Sequence, residues 1–161
     1  MDLMELIKER RNIKQFTNQP VDLQQIMTWL DAGSFAPNHR MVQPWEVLVV
    51  GPETRAKLNH KANFGDAPLV LAVLSKGADS AVDQEENLIA TSCFVQNFLL
   101  LAWQNGVGTR WTSIGSRPVA REILAVPEGY SVVGVFGVGY PLNVPFSKSR
   151  TPIAGKMKHL Q

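Results

Sequence analysis

A stretch of apolar residues at helical spacing, from about Asp83 to Gln104, constrains this chain more than any other feature. Leu88, Ile89, Phe94, Val95, Phe98, Leu99 and Trp103 mark a long, largely buried helix, and Asn105-Gly106 supplies its stop. Around it the spacing predicts smaller elements. Leu3, Leu6 and Ile7 give a first helix over about 2–11. Asp22 reads as the N-cap of a second, with Gln25 reaching back, Ile26, Met27 and Leu30 on one face, and an end near Ser34 ahead of Pro37. Trp45–Val50, closed by Gly51-Pro52, is a strand; 53–62 is a short helix; Leu69–Leu74 is a second apolar strand. Arg110–Ser113 is a short strand, Ser116 caps a helix with Pro118 in its first turn, and Val132–Val138 is a buried strand. Helices and strands alternate only loosely, which predicts an α+β fold with a mixed central sheet flanked by helices.

Composition narrows the class. Hydrophobic residues make up 45% of 161 positions, enough for the core of one domain over 1–161. With 16 basic and 14 acidic residues the net charge is +2, which gives no support for a nucleic-acid footprint. The single cysteine, Cys93, excludes an internal disulfide and is expected as a buried core thiol in a reducing compartment. Met1-Asp2-Leu3-Met4-Glu5 does not resemble a secretion signal, and the uninterrupted apolar run Phe98–Trp103 falls far short of the roughly 20 residues that span a bilayer. A soluble, cytoplasmic protein with no membrane partner is expected.

Four motifs carry candidate chemistry. Basic residues bracket the chain: Arg10-Arg11-Asn12-Ile13-Lys14 near the start and Lys148-Ser149-Arg150 near the end. On a nearly neutral chain this suggests one anionic ligand gripped from two sides. Taken singly, the first group also reads as a basic helix C-terminus and the second as a solvated tail. Between them lie Ala36-Pro37-Asn38-His39-Arg40-Met41-Val42-Gln43-Pro44-Trp45 and Gly106-Val107-Gly108-Thr109-Arg110-Trp111-Thr112-Ser113-Ile114-Gly115. His39 shows no metal-ligand spacing with His60 or His159, so no metal is expected. Gly134-Val135-Phe136-Gly137-Val138-Gly139 runs into Tyr140-Pro141 and fails the dinucleotide fingerprint.

In combination and order, these four motifs resemble the nitroreductase family of FMN-dependent oxidoreductases. The opening Arg-Arg-Asn-x-Lys-x-Phe is similar to that family's first motif, with Asn12 where Ser is usual. The resemblance implies that Arg10 and Asn12 hold the FMN phosphate and ribityl chain, that Arg11 belongs to the same cofactor site, and that Lys14 approaches the pyrimidine edge. It implies that Trp111, Thr112 and Ser113 face flavin N5 and O4, in a register that the extra Ile114 leaves open by one residue. Lys148 and Arg150 would complete the phosphate site. Asn38 and His39 would reach the FMN of the other subunit of an interlocked homodimer. The implied reaction is ping-pong hydride transfer from NADH or NADPH through flavin N5 to a nitroaromatic or quinone acceptor, with no catalytic side chain needed. The connection between Val50 and Leu69 is short for the family, with Asn59 or Asn63 as possible replacements for a polar ring contact. A flavin-binding carrier or sensor without turnover is the alternative.

Overall fold

In the computed structural model, which describes residues 1–160, four strands form one sheet. They are β1 (Trp45–Val49), β2 (Leu69–Lys76), β3 (Gly108–Thr112) and β4 (Tyr130–Gly139), in spatial order β1-β2-β4-β3. Every neighbouring pair is antiparallel. The parallel component expected of a mixed sheet is reduced, among the described residues, to one bridge between Asn12 and Thr109. The reason lies in the crossover. β2 and β3 both run against β4, so the strands joined by the long helix share a direction, yet β4 inserts between them.

That helix is α4 (Ala81–Gln104), and its Ser80 cap accepts a hydrogen bond from the Asp83 amide at 3.0 Å. It packs on α2 (Leu23–Gly33) and on the sheet. Ile26, Trp29, Leu71, Phe94, Phe98 and Phe136 are among the buried side chains of this core. The 3.6-residue period aims Asn87, Ala90, Thr91, Phe94, Val95, Phe98, Leu99 and Ala102 inward. Leu88 and Ile89 fall off that stripe and are 44% and 57% exposed, so the first half of the helix is less covered than its composition suggested. Cys93 sits at the edge of the stripe and is half-buried, not a core thiol.

A second core fills the opposite face. There α3 (Pro52–Leu58) and α5 (Pro118–Ile123) cover Val50, Leu58, Phe64, Val70, Ala120 and Val135. Helix α3 stops earlier than expected because Asn59 takes a left-handed conformation, φ 47°, and starts the turns that hold 60–66. The N-cap position of α5 falls on Arg117, while the Ser116 hydroxyl turns back to the Ser113 carbonyl at 2.8 Å. Asp22 caps α2 through the Gln24 amide without Gln25 reaching back. The reciprocal capping box instead belongs to Asp2 and Glu5 of α1 (Leu3–Glu9). From Leu142 to Leu160 the chain is exposed and irregular, apart from one short turn at Ile153–Lys156.

Phe98 is 2% exposed and joins α4 to the first core. Phe98→Ala is expected to lower unfolding free energy by about 3–5 kcal/mol, read as a lower urea midpoint at constant m-value.

Candidate functional site

The N-terminal motif enters the site by a short, strongly bonded path. After α1, the Ile13 amide donates to the Thr109 carbonyl at 2.9 Å, and Phe16 donates to the Gly65 carbonyl at 2.9 Å. Ile13 is fully buried. The Asn12 carboxamide oxygen accepts the Trp111 amide at 2.9 Å, and an Arg110 guanidinium N–H donates to the Lys14 carbonyl at 2.6 Å. Segment 10–16 therefore lies along the open edge of β3, which is why the first and third motifs meet. Gly65, at φ +74°, makes the close approach possible, because a Cβ there would collide with the Lys14 carbonyl.

Asn12, Trp111, Thr112 and Ser113 line one recess of about 430 Å³. The Trp111 indole packs on Phe136 with ring centroids 5.0 Å apart, and Gly134 leaves the room it needs. The indole remains 41% exposed, so it is a wall of the recess and not a core residue. The Thr112 hydroxyl donates to the Val135 carbonyl at 2.9 Å and is used by the sheet.

Arg10 is partly buried, and burial, Arg11 and Arg150 in that order make its charge harder to hold. A guanidinium does not release its proton in a protein, so the crowding is borne as unfavourable energy. Arg11 has another partner: its guanidinium donates to the Lys8 and Arg10 carbonyls at 2.6 and 3.0 Å, at the C-terminal end of α1. Its Nε is buried without a partner. Arg150 is exposed and donates to the Lys148 carbonyl at 3.1 Å, and the Lys148 side chain is exposed beside it.

Asn38 and His39 stand elsewhere in this chain. Asn38 braces its own loop, accepting from the Gln43 amide at 2.9 Å and donating to the Ala36 carbonyl at 3.2 Å. His39 Nδ1 lies 3.6 Å from a Glu86 carboxylate oxygen, and Asp83 brings a third ligand-type atom within 4.8 Å of both. The carboxylates are one helical turn apart on α4, which sequence spacing among the histidines alone did not reveal. Pro37, Asn38 and His39 line a recess with Glu86, Ile89, Ala90 and Cys93, separate from the one at Trp111.

Sequence reasoning missed three cations and a neutral histidine. His60, Lys61, Arg110 and Arg117 line the Trp111 recess, with Ser116 beside them. They come from the turn after α3, from β3 and from the start of α5, so no local pattern groups them. Asn59 is spent as a left-handed helix end, and Asn63 is tied to Arg55 and Asp66 at 2.9 and 2.8 Å. His60 Nδ1 accepts the Phe64 and Ala62 amides at 3.1 and 3.3 Å, which fixes the neutral ring with its proton on Nε2.

The fold and site define an α+β protein with a nitroreductase-like sheet and helix arrangement. The model of the Nitroreductase family matches residues 7–63 and 55–140. The protein provisionally named NAD(P)H nitroreductase YfhC of Bacillus subtilis is 28% identical over 183 aligned positions, spanning 98% of this chain and 94% of that one. A crystal structure of a nitroreductase-like family protein from Bacillus cereus superposes with a TM-score of 0.90 at 27% identity, covering 100% of this chain and 97% of that one. The NADPH:FMN oxidoreductase of Vibrio harveyi, solved with NAD+, gives 0.87 at 25% identity, covering 98% and 76%. The chain belongs to the nitroreductase family and is an oxidoreductase of that family.

Burial first, then Arg110 and Arg117, hold the His60 ring below its ordinary value of 6.5. An unfolded chain therefore takes up this proton before the folded one does. The stabilisation is complete above about pH 6.5 and is lost as pH falls through the lower folded value. Urea unfolding at stepped pH should show wild type losing more stability on acidification than His60→Gln; equal slopes would remove His60 from that role.

Proposed function

We propose that the chain, as one domain over 1–161, is an FMN-dependent oxidoreductase. It would move hydride from NADH or NADPH to an electron-poor acceptor of the nitroaromatic or quinone class. The observation that carries this reading is the approach of Arg11 and Arg150 to the partly buried Arg10, close enough to oppose its charge, with no carboxylate paired to them among the described residues. A phosphate dianion fits that set: it accepts several charge-assisted hydrogen bonds and relieves the repulsion.

In this reading Arg10 and Arg150 hold the phosphate, and Lys148 lies beside them on the extended tail. Asn12 presents its amide N–H to the ribityl chain, because its oxygen is already committed to Trp111. Lys14 supports negative charge at the pyrimidine edge. Trp111 walls the ring, and Thr112 and Ser113 serve it through backbone donors. Bound FMN supplies the hydride-accepting and hydride-donating N5, so donor and acceptor take turns in a ping-pong cycle. The chain's own work is binding, orientation and charge stabilisation, which need no proton-transferring side chain.

Asn38 and His39 line a different recess, so they would complete a site only from a second copy. Leu3, Ile7, Phe35, Leu88, Ile89 and Phe146 are exposed apolar side chains that a partner would cover. We therefore propose a homodimer with two equivalent interfacial sites. No helix among the described residues is long and apolar enough to cross a membrane. The unpaired thiol of Cys93 suits a reducing compartment, and the cytoplasm is the proposed location.

Purified protein should show an oxidised-flavin visible spectrum that bleaches on anaerobic addition of NADH or NADPH. A flavin spectrum unchanged by both donors would favour a carrier or sensor, and failure to take up FMN would overturn the reading. Arg10→Ala should weaken FMN binding by about ten- to a hundred-fold, the loss expected for a charge-assisted contact, measured by titrating apoprotein with FMN. Native mass spectrometry should report a dimer carrying two FMN.

A further inference from the structure

The turn between α3 and β2 is held in a conformation that its sequence does not favour. Asn63, Phe64, Gly65 and Asp66 follow one another at φ 42°, 56°, 74° and 57°. Glycine takes that left-handed region freely, and Asn and Asp tolerate it, but for the bulky Phe64 it is an outlier. Such a run persists only where its surroundings over-determine it. Arg55 of α3 spans the run and grips both ends. Its Nε donates to Asn63 Oδ1 at 2.9 Å, its Nη2 to the Asn63 carbonyl at 2.7 Å, and its Nη1 to the Ala67 carbonyl at 2.6 Å. The guanidinium also lies over the buried Phe64 ring, 5.8 Å from its centroid. The Asn63 amide then closes the turn onto Asp66 at 2.8 Å.

The far side of this turn meets the N-terminal segment. The Gly65 carbonyl accepts the Phe16 amide at 2.9 Å, and Gly65 approaches the Lys14 carbonyl so closely that no Cβ fits between them. The same Lys14 carbonyl accepts from Arg110 at 2.6 Å. Arg55 itself lines neither the recess at Trp111 nor the adjoining one that Lys14 shares. Among the described residues it makes no ion pair, and its three donors go to neutral oxygens. A rigid guanidinium fork is thus spent on a strained turn, and that turn presses on the backbone of a residue assigned to the flavin.

We propose that Arg55 is a positioning residue for the flavin. It holds the left-handed turn 63–66, and through Gly65 that turn sets where Lys14 stands against the pyrimidine edge. This rests on the FMN oxidoreductase reading and adds to it a residue remote from the cofactor that tunes how strongly the reduced flavin is favoured. A cation at that edge stabilises the charge that reduction places there, so a displaced Lys14 weakens binding of reduced FMN more than of oxidised FMN.

The test measures the midpoint potential of bound FMN against a reference dye, together with the affinity for oxidised FMN. Wild type, Arg55→Gln, Asn63→Ala, Lys14→Gln and the double variants with Lys14→Gln are compared. Arg55→Gln should lower the preference for reduced over oxidised FMN about ten-fold, or about 30 mV for a two-electron couple. Affinity for oxidised FMN, carried mainly by the phosphate, should change less than about three-fold. In the Lys14→Gln background Arg55→Gln should lower the preference no further, because the two act as one unit. Asn63→Ala removes one Arg55 contact and the bond to Asp66 from an exposed side chain. It should give the same change at about three-fold, and where Arg55→Gln does not fold it decides the matter, alone and with Lys14→Gln. A lower urea midpoint with an unchanged potential would make Arg55 a clamp for the fold alone and overturn the proposal. Additive shifts in the double variant would show that Arg55 does not act through Lys14, and would overturn it too. Wild type that takes up no FMN would instead overturn the oxidoreductase reading on which the proposal rests.

Discussion

The attachment of residues 10–16 to the open edge of β3 is the contact on which the site depends. It is made of backbone and short side-chain bonds: Ile13 to Thr109, Asn12 to Trp111, Arg110 to Lys14, and Phe16 to Gly65. The buried Ile13 and Phe16 anchor it against Ala67 and Trp103. An edge strand with unpaired backbone groups is a liability in water. Here the N-terminal segment covers part of that edge and, by doing so, delivers Arg10, Asn12 and Lys14 to the strand that carries Trp111. Structural need and the geometry of the proposed site are met by the same few bonds.

Once that edge is covered, charge becomes the organising term. The first group of cations is built from the two ends of the chain and the second from three middle elements. Both are assembled by tertiary contact, and neither has an ion-paired carboxylate among the described residues. Proteins usually relieve such crowding by salt bridges or by spreading charge over solvent. This chain instead holds Arg10 partly buried next to Arg150 and holds Arg110 rigidly near His60. A near-neutral net charge of +2 makes the local concentration more informative, since it does not follow from a generally basic surface.

The fold was largely legible in the sequence because apolar period and turn chemistry are local. The stop at Gly106, the strands at Trp45 and Leu69, and the break before Pro37 all follow from neighbours within a few residues. What the sequence hid was non-local. Insertion of β4 between β2 and β3 makes the sheet antiparallel, and no residue in α4 announces it. Leu88 and Ile89 have the composition of a core but fall off the inward stripe. At the site, the bracketing arginines were readable as a motif, whereas His60, Lys61 and Arg117 became visible only where the turns meet. Thr112 adds a sheet contact that the motif did not announce, since its hydroxyl donates to the Val135 carbonyl of β4.

The loop at 37–41 bears on the proposal that one copy of this chain is chemically incomplete. Asn38 turns its side chain into its own loop, and His39 rests near Glu86 on the outer side of α4. Neither shares a recess with Trp111. The same side of α4 leaves Ile89 exposed next to this loop. An exposed apolar side chain on an otherwise buried helix loses stabilising burial unless something covers it. A second copy seated there by two-fold symmetry would cover Ile89 twice and bring two copies of the loop to the interface at once. The helix that builds the core would then also build the dimer, and the shortness of the 51–68 connection would matter less, because part of the wall around each ring would come from the other chain.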